Sequence, residues 1–136
     1  MERICLSCKG AAALAVPLLI ASLANSGPAL AQSLEGAWRG GGSVAFASGQ
    51  QERARCRAQY RRAPGSAYSV TATCATPSGR ATQTAIVHRV GGNTYQGRFH
   101  NSEYNVSGTI SVVVGRNRQS VQLLSDSGSA SFELRR

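Results

Sequence analysis

From residue 32 onward the sequence predicts an all-β protein, an eight-stranded antiparallel up-and-down β-barrel. Three observations carry this. Apolar residues recur with period two, no stretch in this region shows helical spacing, and clusters of Gly, Asn, Ser or Pro interrupt the alternation about every dozen residues. The interruptions fall at Ser48-Gly49-Gln50, Pro64-Gly65-Ser66, Pro77-Ser78-Gly79, Gly91-Gly92-Asn93, Asn101-Ser102, Gly115-Arg116-Asn117 and Asp126-Ser127-Gly128. Seven turns imply eight strands.

The first strand carries Trp38, Val44 and Phe46 as its apolar set. In the second, Arg53, Arg55, Arg57, Gln59 and Arg61 alternate with Ala54, Cys56, Ala58 and Tyr60, so one face is charged and the other apolar. The third places Tyr68, Val70, Ala72 and Cys74 on its apolar face. Centring this hairpin on Gly65 sets Tyr60 opposite Val70, Ala58 opposite Ala72 and Cys56 opposite Cys74. That register brings the cysteines' Cβ atoms close and on one side, as a disulfide requires.

Treating Gly91-Gly92 as a tight turn puts Ile86, His88 and Val90 of the fourth strand on the face of Tyr95, Gly97 and Phe99 of the fifth. The sixth strand reads Tyr104, Val106, Gly108, Ile110, Val112 and Val114. Val121 and Leu123, then Ala130, Phe132 and Leu134, complete the set. All eight aromatic residues fall on the expected inner face. A meander with one apolar face buries it by closing on itself, which also removes both sheet edges. A two-sheet β-sandwich is the alternative architecture.

Residues 1–31 read as a signal peptide. Arg3 and Lys9 flank the start, Gly10 to Leu23 is apolar, and Ala29-Leu30-Ala31 has the small-x-small form of a cleavage site. The single barrel domain then spans 32–136, and the expected setting is periplasmic or secreted. Cys5 and Cys8 leave with the signal, so Cys56 and Cys74 remain as an even pair in an exported domain, the usual circumstance of a structural disulfide. No further ligands at zinc spacing accompany them, and neither a metal nor a cofactor is expected. The apolar run is too short and alanine-rich to span a bilayer, so no transmembrane segment is expected in the mature chain.

Residues 32–136 hold 13 basic residues, all arginine, against five acidic ones, a net charge of +8. Gly36-Ala37-Trp38 at the head of an eight-strand meander resembles the G-x-W opening of calycin-like barrels: lipocalins, avidins and bacterial metalloprotease inhibitors. The resemblance implies that Trp38 closes the base of the barrel and that an arginine near the C-terminus, here Arg136, packs across it. A cation–π contact would hold that pair. Gly40-Gly41-Gly42 would permit the sharp coil of such a first strand. Metalloprotease inhibitors act through a segment ahead of the barrel, which here would be Gln32-Ser33-Leu34-Glu35.

Enzyme chemistry finds no motif: there is no G-x-S-x-G, no H-E-x-x-H and no glycine-rich loop between strand and helix. No catalytic residue is expected. Arg53, Arg55, Arg57 and Arg61 form an outward row suited to phosphate or carboxylate, or else a solvated surface. Such a row would dock an anionic envelope component or an acidic protein. No aromatic residue interleaves it, so nucleic acid is not expected. Inside, small residues at mid-strand, Ala58, Ala72, Gly97 and Gly108, would leave a cavity for a small hydrophobic ligand unless the tyrosines fill it. His88, Tyr60, Tyr95 and Tyr104 are the candidate lining, with His88 as polar anchor or as a satisfied core histidine. The expected function is an exported binding module; the alternatives are a carrier of a small hydrophobic ligand and a secreted-protease inhibitor.

Overall fold

Each turn cluster becomes a hairpin in the computed structural model, which describes residues 33–136. The expected signal peptide, with Cys5 and Cys8, and Gln32 lie outside the described residues. The strands are β1 (Gly36–Phe46), β2 (Gln51–Ala63), β3 (Ala67–Thr76), β4 (Gly79–Gly91), β5 (Thr94–Asn101), β6 (Val106–Val114), β7 (Arg118–Ser125) and β8 (Gly128–Arg135). They pair in sequence order, and β8 pairs back onto β1, so the sheet is a closed antiparallel barrel. Closure leaves no strand edge unpaired and rules out the sandwich.

The β2–β3 register sets Cys56 against Cys74, Ala58 against Ala72 and Tyr60 against Val70. The Cys56–Cys74 disulfide joins these strands across a Cα–Cα distance of 4.1 Å. Alternation along the strands fills the interior with Trp38, Ala54, Tyr60, Tyr68, Val70, Val87, Tyr95, Phe99, Ile110, Val112, Val114, Val121, Phe132 and Leu134, all buried. Arg53, Arg55, Arg57 and Arg61 are exposed on the outer face.

Strand β4 departs from the sequence reading. Gly91 pairs with Thr94 around a Gly92-Asn93 turn, and the register shifts by one between Arg89 and Gly91, so Val90 bulges out of the ladder. One inserted residue exchanges the two faces of everything before it. Ala85 and Val87 therefore point inward, while Ile86 and Val90 are exposed. His88 pairs with Gln96 on the outer surface and is exposed, so it is neither a core histidine nor a cavity anchor.

The mid-strand glycines answer to backbone geometry. A Cβ at Gly97 would lie 1.8 Å from the Ile86 carbonyl oxygen, and one at Gly108 would lie 1.9 Å from that of Leu124. Glycine here lets coiled strands cross closely. Gly40 and Gly42 similarly abut the β8 backbone at Glu133 and Ser131. These positions shape the wall rather than hollow the interior.

Candidate functional site

The two ends of the barrel are built differently. At the end holding the β2–β3, β4–β5 and β6–β7 turns, residues 33–35 fold across the opening. Leu34 is fully buried, and its carbonyl accepts a hydrogen bond from Trp38 Nε1 at 2.8 Å. The Arg136 guanidinium lies 4.4 Å from the Trp38 ring centroid and donates to the Ser33, Glu35 and Arg116 carbonyls at 3.0, 3.3 and 3.4 Å. The Trp38–Arg136 pair is thus held both by a cation–π contact and by backbone anchoring. Arg62 adds an ion pair to Glu35 at 2.9 Å. Ser33–Glu35, most of the segment that a protease-inhibiting reading would send into a cleft, is instead committed to this plug.

Tyrosines fill the space above the plug. Tyr68 and Tyr95 meet edge to face with centroids 5.6 Å apart. Tyr60 donates to Gln119 Oε1 at 2.6 Å, and Gln119, itself buried, has no partner for its Nε2 among the described residues. Burial pushes the Tyr60 phenol far above its ordinary value, and desolvation raises that of Tyr95 as well. Tyr60 and Tyr95 are therefore packing residues of the closed half; neither lines the cavity at the open end, and Tyr60 borders only a small void beneath it.

At the opposite end the barrel is open. A cavity of about 500 Å³ runs inward between the β1–β2, β3–β4, β5–β6 and β7–β8 turns. Its walls are mainly Val44, Phe99, Val106, Leu123, Ala130 and Phe132, with the disulfide's Cys74 on one side. Phe46 and Tyr104 stand at the rim, where they are 38% and 60% exposed. Tyr104, expected within the sixth strand, lies in the β5–β6 turn, and it alone of the four candidate lining residues borders the cavity.

No charged side chain lines this space. Several of its polar groups are engaged locally. Asn101 Oδ1 accepts from the Tyr104 backbone, Ser125 Oγ donates to the Gly128 carbonyl, and Thr76 Oγ1 donates to that of Gly79. Glu52, just outside the lining at the start of β2, accepts from Ser78 Oγ, and hydrogen bonds from Ser78 and Thr76 hold its carboxyl below the usual carboxylate range. Gln83, like Gln50, Ser127 and Ser129 nearer the rim, lines the cavity and makes no side-chain hydrogen bond with another described residue, and it has the inward parity of β4. Deeper in, a void of about 30 Å³ between Ala58, Ala72 and Gln83 separates the cavity from the tyrosine layer.

A cavity was expected from the sequence, but at mid-strand; its place at the open end was not legible because Val44, Val106, Leu123 and Ala130 look like any core residues. What distinguishes them is level: each lies toward the turn end of its strand that has no plug. Among the described residues no cluster of His, Cys, Asp or Glu is arranged to hold a metal ion.

No protein-family model matches the chain, and no curated protein sequence does. Designed barrels are similar to it in structure. The redesigned β-barrel mFAP1, solved bound to DFHBI, superposes with a TM-score of 0.64 at 12% identity over 76% of this chain and 94% of its own. The redesigned barrel mFAP0, also bound to DFHBI, gives 0.63 at 13% identity over 76% and 98%. A de novo fluorescence-activating β-barrel gives 0.58 at 14% identity over 75% and 92%. At these identities the likeness is one of fold, that of a β-barrel.

Proposed function

We propose that the protein is a non-enzymatic binding barrel whose open end takes up a small, largely apolar and uncharged molecule. The carrying observation is the cavity of about 500 Å³ with apolar walls and no charged lining residue. That volume is in the range of small-molecule sites, which combine an apolar surround with a few polar groups that fix orientation. An ion entering this space would lose hydration without gaining a counter-charge, so a neutral ligand is favoured. Gln83 supplies both an amide donor and a carbonyl acceptor to a ligand polar group. The similar barrels solved with a bound small molecule support this reading by fold.

The test is titration with Nile red, a neutral apolar dye, followed by fluorescence. Wild-type protein should bind it saturably, and Ala81→Trp, which fills the rim from β4, should weaken binding at least about tenfold without loss of the folded barrel. Equal binding by both proteins would overturn the reading.

A further inference from the structure

The row of arginines along β2 is one arm of a larger arrangement that only strand pairing reveals. Arg57 pairs with Arg39 on β1, Arg39 pairs with Arg135 on β8, and Arg135 pairs with Arg118 on β7. Four arginines on four adjacent strands therefore stand in one cross-strand line, all exposed on the outer face. At the usual strand spacing the line is about 14 Å long, and it crosses the β2 row, whose alternate residues are about 7 Å apart, at Arg57. None of the seven arginines on the two arms forms an ion pair with another described residue; the ion pair among those residues is Arg62–Glu35, at the base. Glu133, opposite Gly41, is the carboxylate on this part of the wall, and it accepts a hydrogen bond from Ser120.

Like charges directly opposite one another across strands are destabilising, and neighbours a few ångströms apart lie well inside the screening length of physiological salt. Three such pairings in succession are relieved by an anion that bridges them. Two features define that anion. The barrel is closed, so a line across four of its eight strands curves around the wall, and an anion that bends with it follows the four residues more closely than a flat surface does. A flexible chain can follow the curve. The outer positions next to these arginines on β1, β8 and β7 are Gly41, Ser43, Ser129, Ser131, Ser120 and Gln122, small or polar, together with the acidic Glu133, and none is an aromatic side chain on which a nucleobase could stack. Guanidinium groups pair bidentately with carboxylate, and they match sulfate equally in charge and donor geometry.

We infer that the outer face of β7, β8, β1 and β2 is a docking surface for a flexible acidic polysaccharide, whose carboxylate or sulfate groups lie along the Arg57–Arg39–Arg135–Arg118 line. This site is separate from the cavity and does not depend on what the cavity holds.

The test is calorimetric titration with a heparin oligosaccharide, with oligothymidylate and with phosphatidylglycerol vesicles, each at low and at physiological salt. Wild-type protein should bind the oligosaccharide most tightly of the three, with affinity falling steeply as salt rises. Arg39→Gln/Arg57→Gln/Arg135→Gln should weaken this by about tenfold or more, whereas Arg80→Gln/Arg89→Gln/Arg98→Gln, which removes the same charge from the other side of the barrel, should change it less than about twofold. The first variant should also melt at a higher temperature than wild type at low salt, because it relieves repulsion. Equal weakening by both triple variants would overturn the inference, as would tighter binding to the oligonucleotide or the vesicles, or no binding of the oligosaccharide at low salt.

Discussion

Tyr60 shows how one side chain ties the closed half of the barrel together. It is 1% exposed, its hydroxyl is given to Gln119 Oε1, and its ring packs beneath the disulfide level. Because burial raises its phenol, the folded protein keeps this proton at pH values where the unfolded chain, with an ordinary tyrosine near 10, has released it. Its contribution is fully present below about pH 10 and declines as pH rises above that value. Tyr60→Phe is expected to be less stable at neutral pH by about 1 to 3 kcal/mol, since it leaves buried Gln119 with neither amide atom paired. It should also lose stability less steeply than wild type above pH 10. Urea unfolding across that range measures both effects. Gly97 and Gly108 carry a second lesson at this scale: small residues on an inward face follow from a carbonyl of the neighbouring strand standing where a Cβ would be.

Single elements differ in how far the amino-acid order discloses them. The β2–β3 hairpin was fully legible: alternation assigns its faces, Gly65 centres it, and the two cysteines fall opposite one another, as the structure has them. Reduction of Cys56–Cys74 frees a loop of 18-residue separation and is expected to cost about 3 kcal/mol, read as a lowered unfolding midpoint in reductant. The β4–β5 hairpin was legible as a hairpin but not in its register. Gly91-Gly92 and Gly92-Asn93 are both good two-residue turns, and the choice between them, with the bulge at Val90, rests on packing Val87 rather than His88 against Phe99 and Tyr95. Local turn chemistry cannot express that long-range preference. Tyr104 is a similar case, since the β5–β6 turn runs over Ser102–Asn105 with Asn105 at positive φ, longer than the Asn101-Ser102 signal indicates.

At the scale of the whole molecule, strand number, order and closure were legible because every connection is a short hairpin and the apolar face needs a partner. The position of the cavity was not. That position depends on how the large side chains are arranged at the two ends: Trp38, Tyr60, Tyr68 and Tyr95 pack into the half plugged by residues 33–35 and Arg136, whereas at the other end Phe99 and Phe132 stand in the walls and Phe46 and Tyr104 at the rim, around a space lined between them by smaller side chains such as Val44, Ala81 and Ala130. The same closure that separates inside from outside gives the protein two independent surfaces, a neutral interior and an arginine-rich exterior. The most direct test of the interior is a set of amide correlation spectra recorded during titration with a neutral apolar dye. Shifts confined to the open ends of the strands, around Val44, Gln83, Phe99 and Leu123, with the Trp38 indole signal unmoved, are the predicted result. Shifts confined to outer-face residues, or a spectrum unchanged at saturating dye, would contradict a binding site within the barrel.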